Sequence, residues 1–199
     1  MKQGRARASS ARNVRTLRRR TGGMIQQAMR AAVIVLIAAG ATGASAQTAF
    51  EWAGKQGDWD VFHTGEGSSR VCWTVSKPQK QEARRGSQRV SVNRGDTYLM
   101  VAVRPGQGVK NEVSTVIGYT FRENSTVRMA IGSSNFSLFT SGDKAWPENA
   151  AADDQLVAAM RRGANAALTG ESARGTTTVD TYSLSGFTAA VEQAQSLCR

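Results

Sequence analysis

The 199-residue sequence holds one histidine and two cysteines, with no CxxC or HxxxH spacing. That set is too small for a convincing zinc site. Aromatic residues make up only 7%, and no long repeat or low-complexity block is present. Solenoid and collagen-like architectures are thereby excluded. The longest apolar run, residues 31–39 (AAVIVLIAA), is much shorter than the ~20 residues a bilayer span requires. A channel built of membrane-spanning helices is not expected, nor is a transmembrane span in the mature form. The glycine-rich stretches match neither GxGxxG nor GxxxxGK[ST], so no phosphate loop is expected.

Acidic residues are missing altogether from residues 1–46, which contain nine Lys and Arg. The net charge of +11 therefore misleads: beyond residue 46, 17 basic residues face 15 acidic ones, a net +2. A domain at +2 has little field with which to attract a polyphosphate, so nucleic acid is not an expected partner. Residues 1–46 read instead as a signal peptide. A basic region ends at Arg30, the apolar run follows, and Ala44-Ser45-Ala46 forms a small-x-small cleavage site ahead of Gln47. The basic region is long, and Met24 or Met29 would give a start of more ordinary length. A twin-arginine route through Arg18-Arg19-Arg20 and a retained N-terminal anchor are the weaker readings. No cysteine stands at the cleavage point to carry a lipid. The expected location is periplasmic or secreted.

What remains, residues 47–199, is long enough for a single domain with its own core. Apolar residues at 40% and charged residues at 21% suit a globular chain. After a leader at 47–55, strands are expected at 58–63, 70–76, 98–103, 112–119, 126–131, 136–140, 164–170 and 176–184. The basis is alternation, as in Val71, Trp73 and Val75, or β-branched content. Residues 98–103 (YLMVAV) are apolar on both faces and read as a central, doubly covered strand. A short helix is expected near 150–162, with Asp153 and Asp154 early, Arg161 and Arg162 late, and Gly163 at its close. A C-terminal helix is expected from an N-cap at Ser185, with Phe187, Val191, Ala194 and Cys198 on one stripe. Eight or nine short strands and two helices suit an antiparallel sandwich or barrel, not βαβ units.

Cys72 and Cys198 are an even pair in a chain bound for an oxidising compartment, which favours a disulfide; two buried free thiols are the alternative. No nucleophile–base set is evident. His63 reads as a surface or hydrogen-bonded residue. Asp58 and Asp60 read as solvent-facing or turn-capping, and Ser183 and Ser185 lack a basic partner in sequence. Trp59 and Trp73 are expected in the core. The one feature with a binding reading is the segment 77–94. There Lys77, Lys80, Arg84, Arg85, Arg89 and Arg94 face a single Glu82. It reads as a loop for an anionic envelope partner, or as a solvated loop with none. It has no aromatics on which to stack single-stranded nucleic acid.

From about Gly57 to Cys198 the chain resembles the invasion-associated locus B family of alphaproteobacterial envelope proteins. The marks, in order, are Gly57-Asp58-Trp59, Val71-Cys72, Arg104-Pro105, Asn111-Glu112-Val113-Ser114 and Ile117-Gly118-Tyr119. Phe139, Trp146 to Ala150 (WPENA), Leu156 to Arg161, Thr178 to Gly186 (TVDTYSLSG) and Cys198 follow. The resemblance implies a secreted β-sandwich of immunoglobulin-like character. In pathogenic members the family is associated with host-cell invasion, and it supplies no catalytic residues to carry over. The expectation is an exported, non-enzymatic binding protein without cofactors, its partner an envelope or host protein. The rival expectation is a periplasmic hydrolase or thiol redox protein with a site assembled from distant residues.

Overall fold

A computed structural model describes residues 50–199; the signal-peptide reading and its cleavage point lie outside them. Twelve strands form one antiparallel sheet. They are β1 (Glu51–Gln56), β2 (Trp59–Thr64), β3 (Val71–Ser76), β4 (Lys80–Arg85), β5 (Gln88–Arg89) and β6 (Tyr98–Arg104). Then come β7 (Val109–Val116), β8 (Thr126–Ile131), β9 (Ser134–Ser141), β10 (Lys144–Trp146), β11 (Asn165–Glu171) and β12 (Thr177–Ser183). Helix α1 (Ala150–Arg162) precedes β11, and α2 (Phe187–Leu197) follows β12. The strand order is β1-β2-β3-β6-β7-β10-β9-β8-β11-β12-β4-β5. Val61, Leu99 and Val113 from one half and Met129, Leu168 and Tyr182 from the other belong to one buried cluster. The expected mainly-β antiparallel sandwich with two helices is observed.

The additional strands are those whose sequences lack the apolar alternation of a half-buried strand. The supposed leader contributes β1, and the basic segment forms the β4–β5 hairpin. β4 buries only Ala83, and four of its other five residues are charged. Charge is common on strands near a sheet edge, where it discourages further pairing.

Both helices sit as expected in the main. Asn149 caps α1 by accepting from the Ala152 amide at 3.0 Å, and Arg161 and Arg162 occupy the last turn. Asp153 accepts from the Val113 amide at 2.8 Å, which ties α1 to β7. Burial, with Glu112 and Asp154 adding to it, pushes the Asp153 carboxyl up to about 6 despite that bond. The folded state therefore holds a proton on Asp153 that the unfolded chain gives up at lower pH, so stability falls as pH rises from 3.8 to about 6. Asp153→Asn keeps an acceptor for Val113 and should flatten that part of the profile, as urea melts between pH 4 and 7 would show.

α2 begins one position later than expected. Gly186, not Ser185, is its N-cap, with φ at 83°. A side chain at Gly186 would run into the Gln56 carbonyl, and one at Gly57 (φ 56°) into the Ser185 carbonyl. Two backbones cross here without room for a Cβ. The Asp58 amide donates to the Ser185 carbonyl at 3.0 Å. The indole of Trp59 donates to the Ser183 carbonyl at 3.0 Å and meets the Phe187 ring edge-on at 4.9 Å. Gly57-Asp58-Trp59 and the Ser183–Gly186 run are thus the two sides of one joint. Phe187, Val191, Ala194 and Cys198 all face inward, as their spacing requires.

Candidate functional site: an aromatic groove on the outer face of the sheet

Cys72 and Cys198 are bridged, with their Cα atoms 5.9 Å apart. Cys72 must point to the inner face to reach the end of α2. In a strand, neighbours point to opposite faces, so Val71, Trp73 and Val75 are turned outward. Cys72, Thr74 and Ser76 are the buried residues of β3. Trp59 lies fully in the core as expected, but Trp73 is only half-buried. The bridge itself decides this.

Facing outward, Trp73 stands opposite Phe62 on β2, and their rings stack at 5.7 Å with 17° between planes. Phe50 meets Phe62 edge-on at 5.7 Å and Trp73 at 6.2 Å. Val75 is paired with Met100 of β6. With Tyr98 these residues form the floor of an open groove of about 650 Å³. The expectation that β6 is covered on both faces therefore holds only in part. Leu99, Val101, Ala102 and Val103 are buried, while Tyr98 and Met100 look into the groove.

The rim is charged with both signs: Lys55 and Lys77 against Asp58 and Asp60. Each carboxylate is held. Asp58 accepts from the Gln79 side chain at 3.1 Å, and Asp60 from the Trp52 indole at 3.1 Å. Phe50 and Trp52 are 66% and 62% exposed, far more than large apolar side chains usually are without a role. Among the described residues, β1 pairs with β2 alone, so no strand covers its outer edge, although the Ala53 carbonyl accepts from the Gln193 side chain at 2.9 Å.

The basic residues singled out from the sequence do not share a face. Lys77 sits on the groove rim. Lys80 and Arg89 both reach Glu82, at 3.4 Å and 2.6 Å. Arg84 is exposed. Arg85 donates through Nε to the Thr176 hydroxyl at 3.0 Å. Arg94 is a structural residue of the interior. Its side chain is 8% exposed and forks onto fully buried Asp180, at 2.5 and 2.9 Å. Burial drives the Asp180 carboxyl upward, more than Arg94 pulls it down. Arg94 also donates to the Ile117 carbonyl and lies 5.9 Å from the centre of the Tyr119 ring.

His63 lies 3.6 Å from Glu51 across β1 and β2. Ser183 accepts from the Ser185 amide at 3.1 Å. No group of three or more potential metal ligands occurs among the described residues, and none of their helices is long and apolar enough to cross a membrane. The groove was missed in the sequence because Phe50, Phe62, Trp73 and Met100 lie on four separate segments. Its one local signal was Cys72 beside Trp73, which cannot both face inward.

The curated proteins contain no match to the chain. Among solved structures, it is similar to the invasion associated protein b of Bartonella henselae, at 17% identity. That match covers 72% of this chain and 96% of the other, with a TM-score of 0.49. The model of the invasion associated locus B protein family matches residues 59–195. Those residues take in Trp59 and the Ser183–Gly186 side of the joint, Trp73 and all but the end of α2, and the chain belongs to the invasion associated locus B family.

Proposed function

We propose that the protein is an exported, non-enzymatic binding module of the cell envelope, released by cleavage between Ala46 and Gln47. On this reading the aromatic groove takes an extended, apolar segment of another envelope polypeptide. The observation that carries it is the open Phe50–Phe62–Trp73 cluster beside β1, whose outer edge no other described strand pairs. An extended segment laid along β1 would pair with its backbone groups and set alternate side chains over the rings. The mixed Lys and Asp rim suits a polypeptide with polar groups of both signs and would fix its register. Family membership supports the envelope setting. The bridge is 0% exposed at Cys72 and 5% at Cys198, which favours a structural role over thiol exchange, since exchange needs access for an attacking thiolate.

The test is photo-crosslinking in cells, with a benzophenone amino acid at position 50 or 52 and, as control, at exposed Ser137 on β9. Adducts are expected from position 50 in the groove and position 52 beside its rim, and not from the control. Trp73→Ala should remove them, because losing a central aromatic anchor costs about 2 kcal/mol or more of binding. Equal adducts from Ser137, or none from the groove, would sink the reading.

A further inference from the structure

A second concavity lies elsewhere in the fold and shares no lining residue with the groove. It holds about 310 Å³ and is lined by ten residues, none of them acidic. Arg85, Arg94 and Arg174 line it, together with the hydroxyl-bearing residues Tyr119, Ser172, Thr176 and Thr178. Asp180 neutralises Arg94 from behind. Arg85 and Arg174 are exposed, and among the described residues neither has a carboxylate within ion-pairing distance. The pocket therefore carries about two uncompensated positive charges.

Several of these groups are also held in place. Arg85 is anchored through Nε to the Thr176 hydroxyl at 3.0 Å, which leaves its terminal nitrogens to reach onward. The Thr176 amide donates to the Ser172 hydroxyl at 3.1 Å. Tyr119 and Thr178 share a hydrogen bond of 2.7 Å between their hydroxyls. Burial raises the Tyr119 phenol to about 12, so it keeps its proton and its neutral charge at physiological pH. A carboxylate offers two oxygens and would leave some of these groups idle. A terminal phosphate offers three oxygens and up to two charges, which matches guanidinium forks with hydroxyls between them.

We infer that this pocket binds the terminal phosphate of a phosphomonoester ligand, held by Arg85 and Arg174 over a floor of Arg94, Tyr119 and Thr178. The same chemistry is found on lipid headgroups and on free phosphorylated molecules. Two probes separate these sources: inorganic phosphate in solution, and phosphatidylcholine vesicles with or without phosphatidic acid. The purified, oxidised protein is expected to bind at least one, read by calorimetry or by vesicle co-sedimentation. Arg85→Gln with Arg174→Gln should weaken that binding about tenfold or more. Lys80→Gln with Arg84→Gln removes the same charge outside the pocket and should leave it within about twofold. Binding to phosphate alone identifies a soluble ligand. Binding to phosphatidic acid vesicles, competed by phosphate, identifies a headgroup. The inference is overturned if neither probe binds, or if both double variants lose affinity equally, because the attraction is then diffuse.

Discussion

Replacing Cys72 and Cys198 together with alanine should lower the stability of the protein by about 5 kcal/mol in the chain-entropy account of disulfides. The bridge joins positions 126 apart, so reduction releases a very long loop in the unfolded chain. Small domains are typically stable by only about 5–15 kcal/mol, so the variant should be marginal at physiological temperature. Urea denaturation of the oxidised protein, with and without reductant, supplies the measurement. Reductant should shift the wild-type midpoint by most of the mutational effect and leave the double variant unmoved. A wild-type midpoint indifferent to reductant would overturn this, because closing the loop would then contribute nothing to stability.

The second large effect is expected at the Arg94–Asp180 pair. Asp180 is 0% and Arg94 8% exposed in the side chain, so removing one partner strands a charge out of water. Asp180→Asn should cost about 3–5 kcal/mol, the usual range for breaking a buried pair from one side. Arg94→Met should cost a similar amount near neutral pH and less in acid. Without Arg94 the carboxyl, already displaced upward by burial, holds its proton to higher pH in the folded state than in the unfolded chain. The stability of Arg94→Met therefore falls as pH rises from the ordinary aspartate value through the folded one. Combining both substitutions should cost less than the two single costs added, since neither charge is then stranded. Additive costs in denaturant melts would show that the two groups act independently.

Much of the fold was legible in the sequence where the signal is local. Asn149, Asp153, Arg161 and Gly163 delimit α1 by capping and charge. The spacing of Phe187, Val191, Ala194 and Cys198 gives the buried face of α2. What could not be read depends on distant partners. Arg94 looks like one more charge in a basic segment until Asp180, 86 positions on, is brought against it. β4 and β5 lack alternation because one strand lies near the sheet edge and the other at it. Trp73 shows the limit of periodicity: alternation says that two faces exist, and only the partner of Cys72 says which one is inside. The groove is legible only once β1, β2, β3 and β6 are set side by side.

The position of Cys198 has a consequence for the order of events during synthesis. Chains are made from the N-terminus, and Cys198 follows every strand of the sheet. Cys72 therefore waits with no partner while the next 126 positions are made. The clasp can close only on a chain that already holds all the pieces of the sandwich. It secures a finished assembly and cannot guide the earlier steps, so a product truncated before α2 would carry one lone thiol where the finished protein has none.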